Sequence, residues 1–203
     1  MMRRWWLAVA GAFLLAACGP GTPAGPPSPK DILAKPNHSG LKDGHFLVTG
    51  KFANQNQAIS VNGDGDIVYT PPGAGRFTFK SSVAGQPITF QDISINGKEY
   101  TFSTPGNGKW SSQTSTSPLG PGSFTGTSAW KYIGEENLSQ GKSWHASAKD
   151  KDGNLFDGWI RESDGYPVKY TLIQSGNSLT LVFDKYNSGV TISPPPASQV
   201  VQG

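Results

Sequence analysis

The sequence predicts a mainly β domain, α+β at most, built as a curved antiparallel sheet with few short helices. Three observations carry this. From Asp43 onward, apolar residues recur with a period of two, the signature of strands. Turn-forming residues return about every ten positions through the second half, the spacing of an antiparallel meander. Gly (26) and Pro (16) together make up about a fifth of the 203 residues, against roughly 12% in ordinary proteins. That leaves little uninterrupted sequence for helix. Charged residues are only 15% and aromatics reach 11%, a composition that fills a core rather than one that stays disordered. The length suits one domain.

Taken in order, the first element is a short helix at Lys30-Asp31-Ile32-Leu33-Ala34-Lys35, ended by Pro36. About one and a half turns is marginal without packing partners. The stretch His45 to Phe52 places Phe46, Val48 and Phe52 on one face. Ala58-Ile59-Ser60-Val61 alternates and is expected to end at a turn, Asn62-Gly63-Asp64-Gly65. Ile67 and Tyr69 share a face before Pro71-Pro72-Gly73. Arg76-Phe77-Thr78-Phe79-Lys80 alternates again. Ile88 and Phe90 are in phase, yet Ile93 and Ile95 fall on the other face, so a bulge near Gln91-Asp92 is expected. Asn96-Gly97 between Ile95 and Tyr100-Thr101-Phe102 is a strong hairpin signal. Residues 104–129 read as a long surface connection, with room for one short helix around Thr125 to Trp130. Strands 143–149, 155–162, 167–174 and 178–184 follow. Turns at Gln140-Gly141, Lys151 to Asn154, Asp164-Gly165 and Ser175-Gly176-Asn177 separate them.

The N-terminus reads as an address. A basic start with Arg3 and Arg4 precedes an apolar run from Trp5 to Ala17. A helix of about 13 residues spans only about 20 Å, short of the ~30 Å hydrocarbon core. A signal-peptide h-region is therefore the expectation. The run ends Leu15-Ala16-Ala17-Cys18, the pattern of a bacterial lipobox, and Cys18 is the only cysteine. Residues 1–18 are thus expected to be a lipoprotein signal peptide ending at the lipidated Cys18. Residues 19–30, rich in Pro and Gly, form an extended tether, and 31–203 form one β domain. The expected location is outside the cell membrane, anchored to its outer face or to an outer membrane if the cell has one. The chain is expected to be a monomer.

Composition and motifs also exclude function classes. Without Arg3 and Arg4 the 17 Lys and Arg become 15, against 14 acids, no footprint for nucleic acid. A single Cys rules out an intramolecular disulfide framework and a Cys-cluster zinc site. Asp150 to Asn154 superficially resembles a calcium loop, but its Gly153 stands at position four and position twelve is Arg161. Gly141-Lys142-Ser143 ends like a phosphate loop, yet Glu136 occupies the place of the first Gly. His38, His45 and His145 have no metal-ligand spacing. His145 is expected to oppose Glu135 or Glu136 in a structural pair. No catalytic residue, metal or cofactor is expected.

What remains is apolar surface. Phe46, Val48, Phe52, Ile59, Val61, Ile67, Tyr69, Phe77, Phe79, Ile88 and Phe90 are expected on one concave face. Periodicity leaves two readings open: a closed core, or a cavity for an apolar ligand. Few helices are available to cover the sheet, and a large uncovered apolar patch marks a binding site. A surface module binding protein or glycan through exposed aromatics such as Trp110 and Trp130 is the rival.

The C-terminal half adds a resemblance. Asp157-Gly158-Trp159-Ile160-Arg161, Asp164-Gly165-Tyr166-Pro167-Val168-Lys169-Tyr170, Leu179 to Tyr186 and Val190-Thr191-Ile192-Ser193-Pro194-Pro195 resemble the end of the LolA/LppX-like lipoproteins. The lipobox, the Pro-rich tether and the Gly141-Lys142-Ser143-Trp144-His145 segment are similar to the mycobacterial LppX/LprG branch. The resemblance spans the mature chain in layout and about residues 131–196 in local pattern. It implies a half-open β-barrel whose concave face holds acyl chains, and lipid or lipoprotein handling in the cell envelope without a cofactor. The chain departs from the family in its cover: residues 28–42 and 110–130 are short and broken by Pro and Gly, where the family's helical lid is long.

Overall fold

Period-two alternation is realised as twelve strands in one sheet. The computed structural model describes residues 25–54, 57–115, 127–150 and 152–202. The first 24 residues, which hold the expected signal peptide, Cys18 and most of the tether, lie outside the described residues. Strands β1 (Asp43–Asn54) to β6 (Trp110–Thr114), with β2 Gln57–Val68, β3 Ala74–Val83, β4 Gln86–Ile95 and β5 Lys98–Thr104, form one antiparallel meander. Strands β7 (Ser128–Leu138), β8 (Gly141–Lys149), β9 (Leu155–Arg161), β10 (Pro167–Gln174) and β11 (Asn177–Tyr186) form a second. The two join where β1 pairs with β11, and β12 (Val200–Gln202) runs parallel to β6 at one edge. The order is β12-β6-β5-β4-β3-β2-β1-β11-β10-β9-β8-β7. The sheet is curved and unclosed, a half-open barrel.

The helix expected at 30–35 is α1, Pro29–Ala34, running into a 3-10 turn, Lys35–His38. The Ser28 side chain caps it by accepting from the Asp31 N–H at 3.2 Å, and Pro29 opens it where a missing donor costs nothing. Ile32 and Leu33 are fully buried. They pack over β7–β9, and this burial holds so short a helix in place. Gly158 on β9 is required there, because a Cβ would collide with Leu33.

Three expectations are corrected. Asn62 to Gly65 is no turn: β2 runs unbroken from Gln57 to Val68, paired residue by residue with β1. Its glycines are packing devices, since Gly65 faces Phe46 and a Cβ would strike that ring. An aromatic thereby covers a strand glycine. The bulge at Gln91-Asp92 is absent too, because β4 pairs with β3 in unbroken register from Ala74↔Ile95 to Val83↔Gln86. Asp92 and Ser94 instead continue the inner face of Ile88 and Phe90, both buried, and Ile93 and Ile95 turn outward. Finally, 110–114 is a strand inside the expected loop, and 128–130 begins β7 rather than ending a helix. Residues 116–126 lie outside the described residues. A bulge does occur in β1, between His45 and Phe46 opposite β11.

Candidate functional site

Cross-strand register puts the expected concave residues on one face. Phe52 pairs with Ile59, Phe79 with Phe90, and Phe77 lies opposite Gly65. Along that face they divide into two groups. Phe46, Val48, Ile67 and Tyr69 join Ile32, Leu33, Phe156, Ile160, Tyr170 and Phe183 in a closed core under α1. Phe46 and Phe183 meet at 5.5 Å between ring centroids. Tyr170 hydrogen-bonds to Tyr69, and burial pushes both phenols well above their ordinary range.

The second group lines a groove. Phe52, Ile59, Val61, Phe79, Ile88 and Phe90, with Ser81 and Val83, bound a cavity of about 350 Å³ on β1–β4. Phe79 is the hub of its aromatic wall, with ring centroids 4.5 Å from Phe77, 6.2 Å from Phe52 and 6.3 Å from Phe90. Among the described residues Ser81 is the only polar side chain in the lining, and its hydroxyl donates to Ser60 O at 2.8 Å, so the wall they form is effectively hydrocarbon. The volume is more than twice the ~150 Å³ cavity that takes one benzene ring. It therefore has room for one acyl chain rather than several.

Polar groups appear where the groove ends. Asp92 follows Phe90 on the inner face, opposite Phe77 on β3 and Thr101 on β5. It is 3% exposed. Burial, then the hydrogen bond and the charge of Glu99, push its carboxyl up to about 7. Gln113 donates to Glu99 at 2.9 Å. A second cavity, about 320 Å³, is lined by Phe90, Thr101, Phe102, Ser103, Asn107, Lys109 and Ser111. Alternation of apolar residues does not mark this half, because Asp92 and Ser94 hold the inner positions of β4 while Ile93 and Ile95 turn outward.

The remaining motifs are structural. Asp150 accepts from the backbone of Asp152 and Asn154, each at 2.9 Å, and caps a hairpin turn. Lys142 sits between Glu135 and Glu162. His145 bonds Glu136 through Nδ1 at 2.8 Å and stacks on Trp159 at 3.9 Å, outside the groove. Trp110 and Trp130 are half-buried rather than exposed: Trp110 packs on Phe102 at 5.4 Å and Trp130 against the core.

No family model and no curated protein matches the chain. Solved structures do. An uncharacterized conserved protein from Thermus thermophilus is similar over 86% of this chain and 98% of its own, at 12% identity and a TM-score of 0.57. LppX of Mycobacterium tuberculosis is similar over 81% of this chain and 99% of its own (12% identity, TM-score 0.49). LprF of Mycobacterium bovis is similar over 84% and 99% (16%, 0.47). At these identities the likeness is one of fold.

Proposed function

We propose that the protein is an exported, lipid-anchored envelope lipoprotein whose β domain holds one acyl chain in the groove on β1–β4. The observation that carries this reading is the groove itself: about 350 Å³ bounded by Phe52, Ile59, Val61, Phe79, Ile88 and Phe90 with no unsatisfied polar side chain. Burying a methylene there contributes about 0.8 kcal/mol. The Leu15-Ala16-Ala17-Cys18 box supports anchoring through Cys18, and the Pro-rich segment behind it gives the domain reach from the bilayer. The apolar lining of the groove supports carriage of lipid.

Two experiments test the two halves. Cys18→Ser is expected to leave the chain unlipidated and free of the membrane fraction, or stalled as precursor; fractionation with membranes at the normal mature mass contradicts anchoring. Val61→Trp fills the groove. It is expected to abolish binding of a fluorescent fatty-acid probe while thermal unfolding stays within a few degrees of wild type. A wild type that binds no probe contradicts the acyl-chain reading.

A further inference from the structure

The concave face carries two cavities of similar size and opposite character, and they meet at one residue. Phe90 lines both the hydrocarbon groove and the polar cavity beside it. It sits on β4, directly across from Ser103 on β5. The polar cavity is lined by the hydroxyl residues Thr101, Ser103 and Ser111, with Asn107 and Lys109. Asn107 Oδ1 is already committed, since it accepts from the Lys109 backbone N–H at 2.9 Å. Lys109 Nζ donates to a neutral acceptor, the Ser198 carbonyl, at 2.9 Å, and no carboxylate neutralises its charge among the described residues. Arg76 and Lys80 project from the opposite face of β3, by the alternation that turns Phe77 and Phe79 inward. Lys109 is thus the cation of this half.

We propose that the ligand is a single-chain amphiphile with an anionic oxygen headgroup, a carboxylate or a phosphate, its chain in the groove and its headgroup past Phe90 on Lys109 and the hydroxyls of Thr101, Ser103 and Ser111. This deepens the acyl-chain reading and rests on it. A charge-assisted hydrogen bond is about twice as strong as a neutral one, and a second cavity of hydroxyls gives an oxygen-rich headgroup its remaining donors. Of the residues lining the cavity only Lys109 titrates. Asp92, opposite the lining residue Thr101, and Glu99, two residues before it on β5, are the titratable groups next to it on the same face, with Phe77 of β3 and Gln113 of β6 as their uncharged neighbours. Asp92 is protonated through mildly acid pH, and an anion is tolerated beside it. As the pH rises past about 7 the Asp92–Glu99 pair gains negative charge, and the anion is repelled.

The test uses the chain from residue 18 with Cys18→Ser, which retains every described element. Displacement of a fluorescent fatty-acid probe is measured with dodecanoate, dodecyl phosphate and dodecanol below their micelle-forming concentrations. The expected result is that at least one anion binds about tenfold more tightly than dodecanol, and the tighter anion identifies the source. Lys109→Gln, at an exposed residue, is expected to leave thermal unfolding unchanged and to remove that preference while dodecanol binding stays within about twofold. Anion affinity is expected to fall between pH 6 and pH 8, and Asp92→Asn or Glu99→Gln to flatten the fall. Equal binding of the three compounds, or a preference that survives Lys109→Gln, overturns the headgroup inference and leaves the groove reading standing. Failure of all three to bind overturns both.

Discussion

On β9 the inward residues Phe156, Gly158 and Ile160 meet Ile32 and Leu33 of α1, and the face closes into core. On β3 the inward residues Phe77, Phe79 and Val83 meet no helix among the described residues, and there the face stays half-buried. Both halves of the sheet use the same alternation. They differ in cover, because the only α-helix among the described residues is six residues long and reaches three strands. Stability therefore resides where β7–β11, β1 and the Ile67 end of β2 close under α1, and the binding surface is left over on β1–β4 around Phe52, Ile59, Phe79 and Phe90. A sheet with one apolar face and too little helix has to leave part of that face for something else.

The largest expected effect is on the covered half. Leu33→Ala removes a side chain that is 2% exposed and is expected to cost about 3 kcal/mol, the middle of the range for buried leucines. Thermal unfolding should fall by roughly ten degrees, and an unchanged melting temperature would remove α1 from the account of stability. Next, Gly158→Ala drives a methyl into Leu33 and is expected to cost about 1–3 kcal/mol in a denaturant titration. If it costs nothing, the close approach of helix and sheet is wrong.

The uncovered half should answer differently. Ile88→Ser is expected to cost under about 1 kcal/mol because the residue is half-exposed already, yet to weaken a fatty-acid probe several-fold. A loss of stability as large as that of Leu33→Ala would mean the groove is core. The last effect, at Asp92, depends on pH. A carboxyl whose folded pKa is raised to about 7 binds more protons in the folded state than in the unfolded one. Its contribution is present at low pH and is lost as the pH rises from about 4 through about 7. Asp92→Asn is expected to stabilise the fold at pH 8, where the buried carboxyl is ionised, and to be neutral near pH 4. A stability gain that is largest at pH 4 contradicts the assignment.

Much of this was legible in the sequence. Phe46 to Phe52, Ile88 to Phe90 and the Asn96-Gly97 hairpin are read directly from period and turn chemistry. Glycines in strands are where the reading failed. Gly63 and Gly65 look like turn residues until the ring of Phe46 is placed over Gly65, and that is a contact between strands, invisible along one of them. Asp92 and Ser94 failed for a related reason. A polar inner face is tolerated only because β5 and β6 bring Glu99, Thr101 and Gln113 alongside, so the apolar residues Ile93 and Ile95 pointed to a bulge that the strand does not need. Which concave residues close and which stay open depends on where α1 lands, and alternation carries no information about that.

The central claim is that the open half of the sheet holds an acyl chain. It is tested most directly by purifying the chain from residue 18, with Cys18→Ser, without detergent and identifying by mass spectrometry what an organic solvent extracts from it. The account predicts one single-chain lipid per protein in the otherwise wild-type chain and none in Val61→Trp. A folded protein that releases no lipid and binds no fatty-acid probe, or a Val61→Trp variant that retains the same lipid, would contradict it.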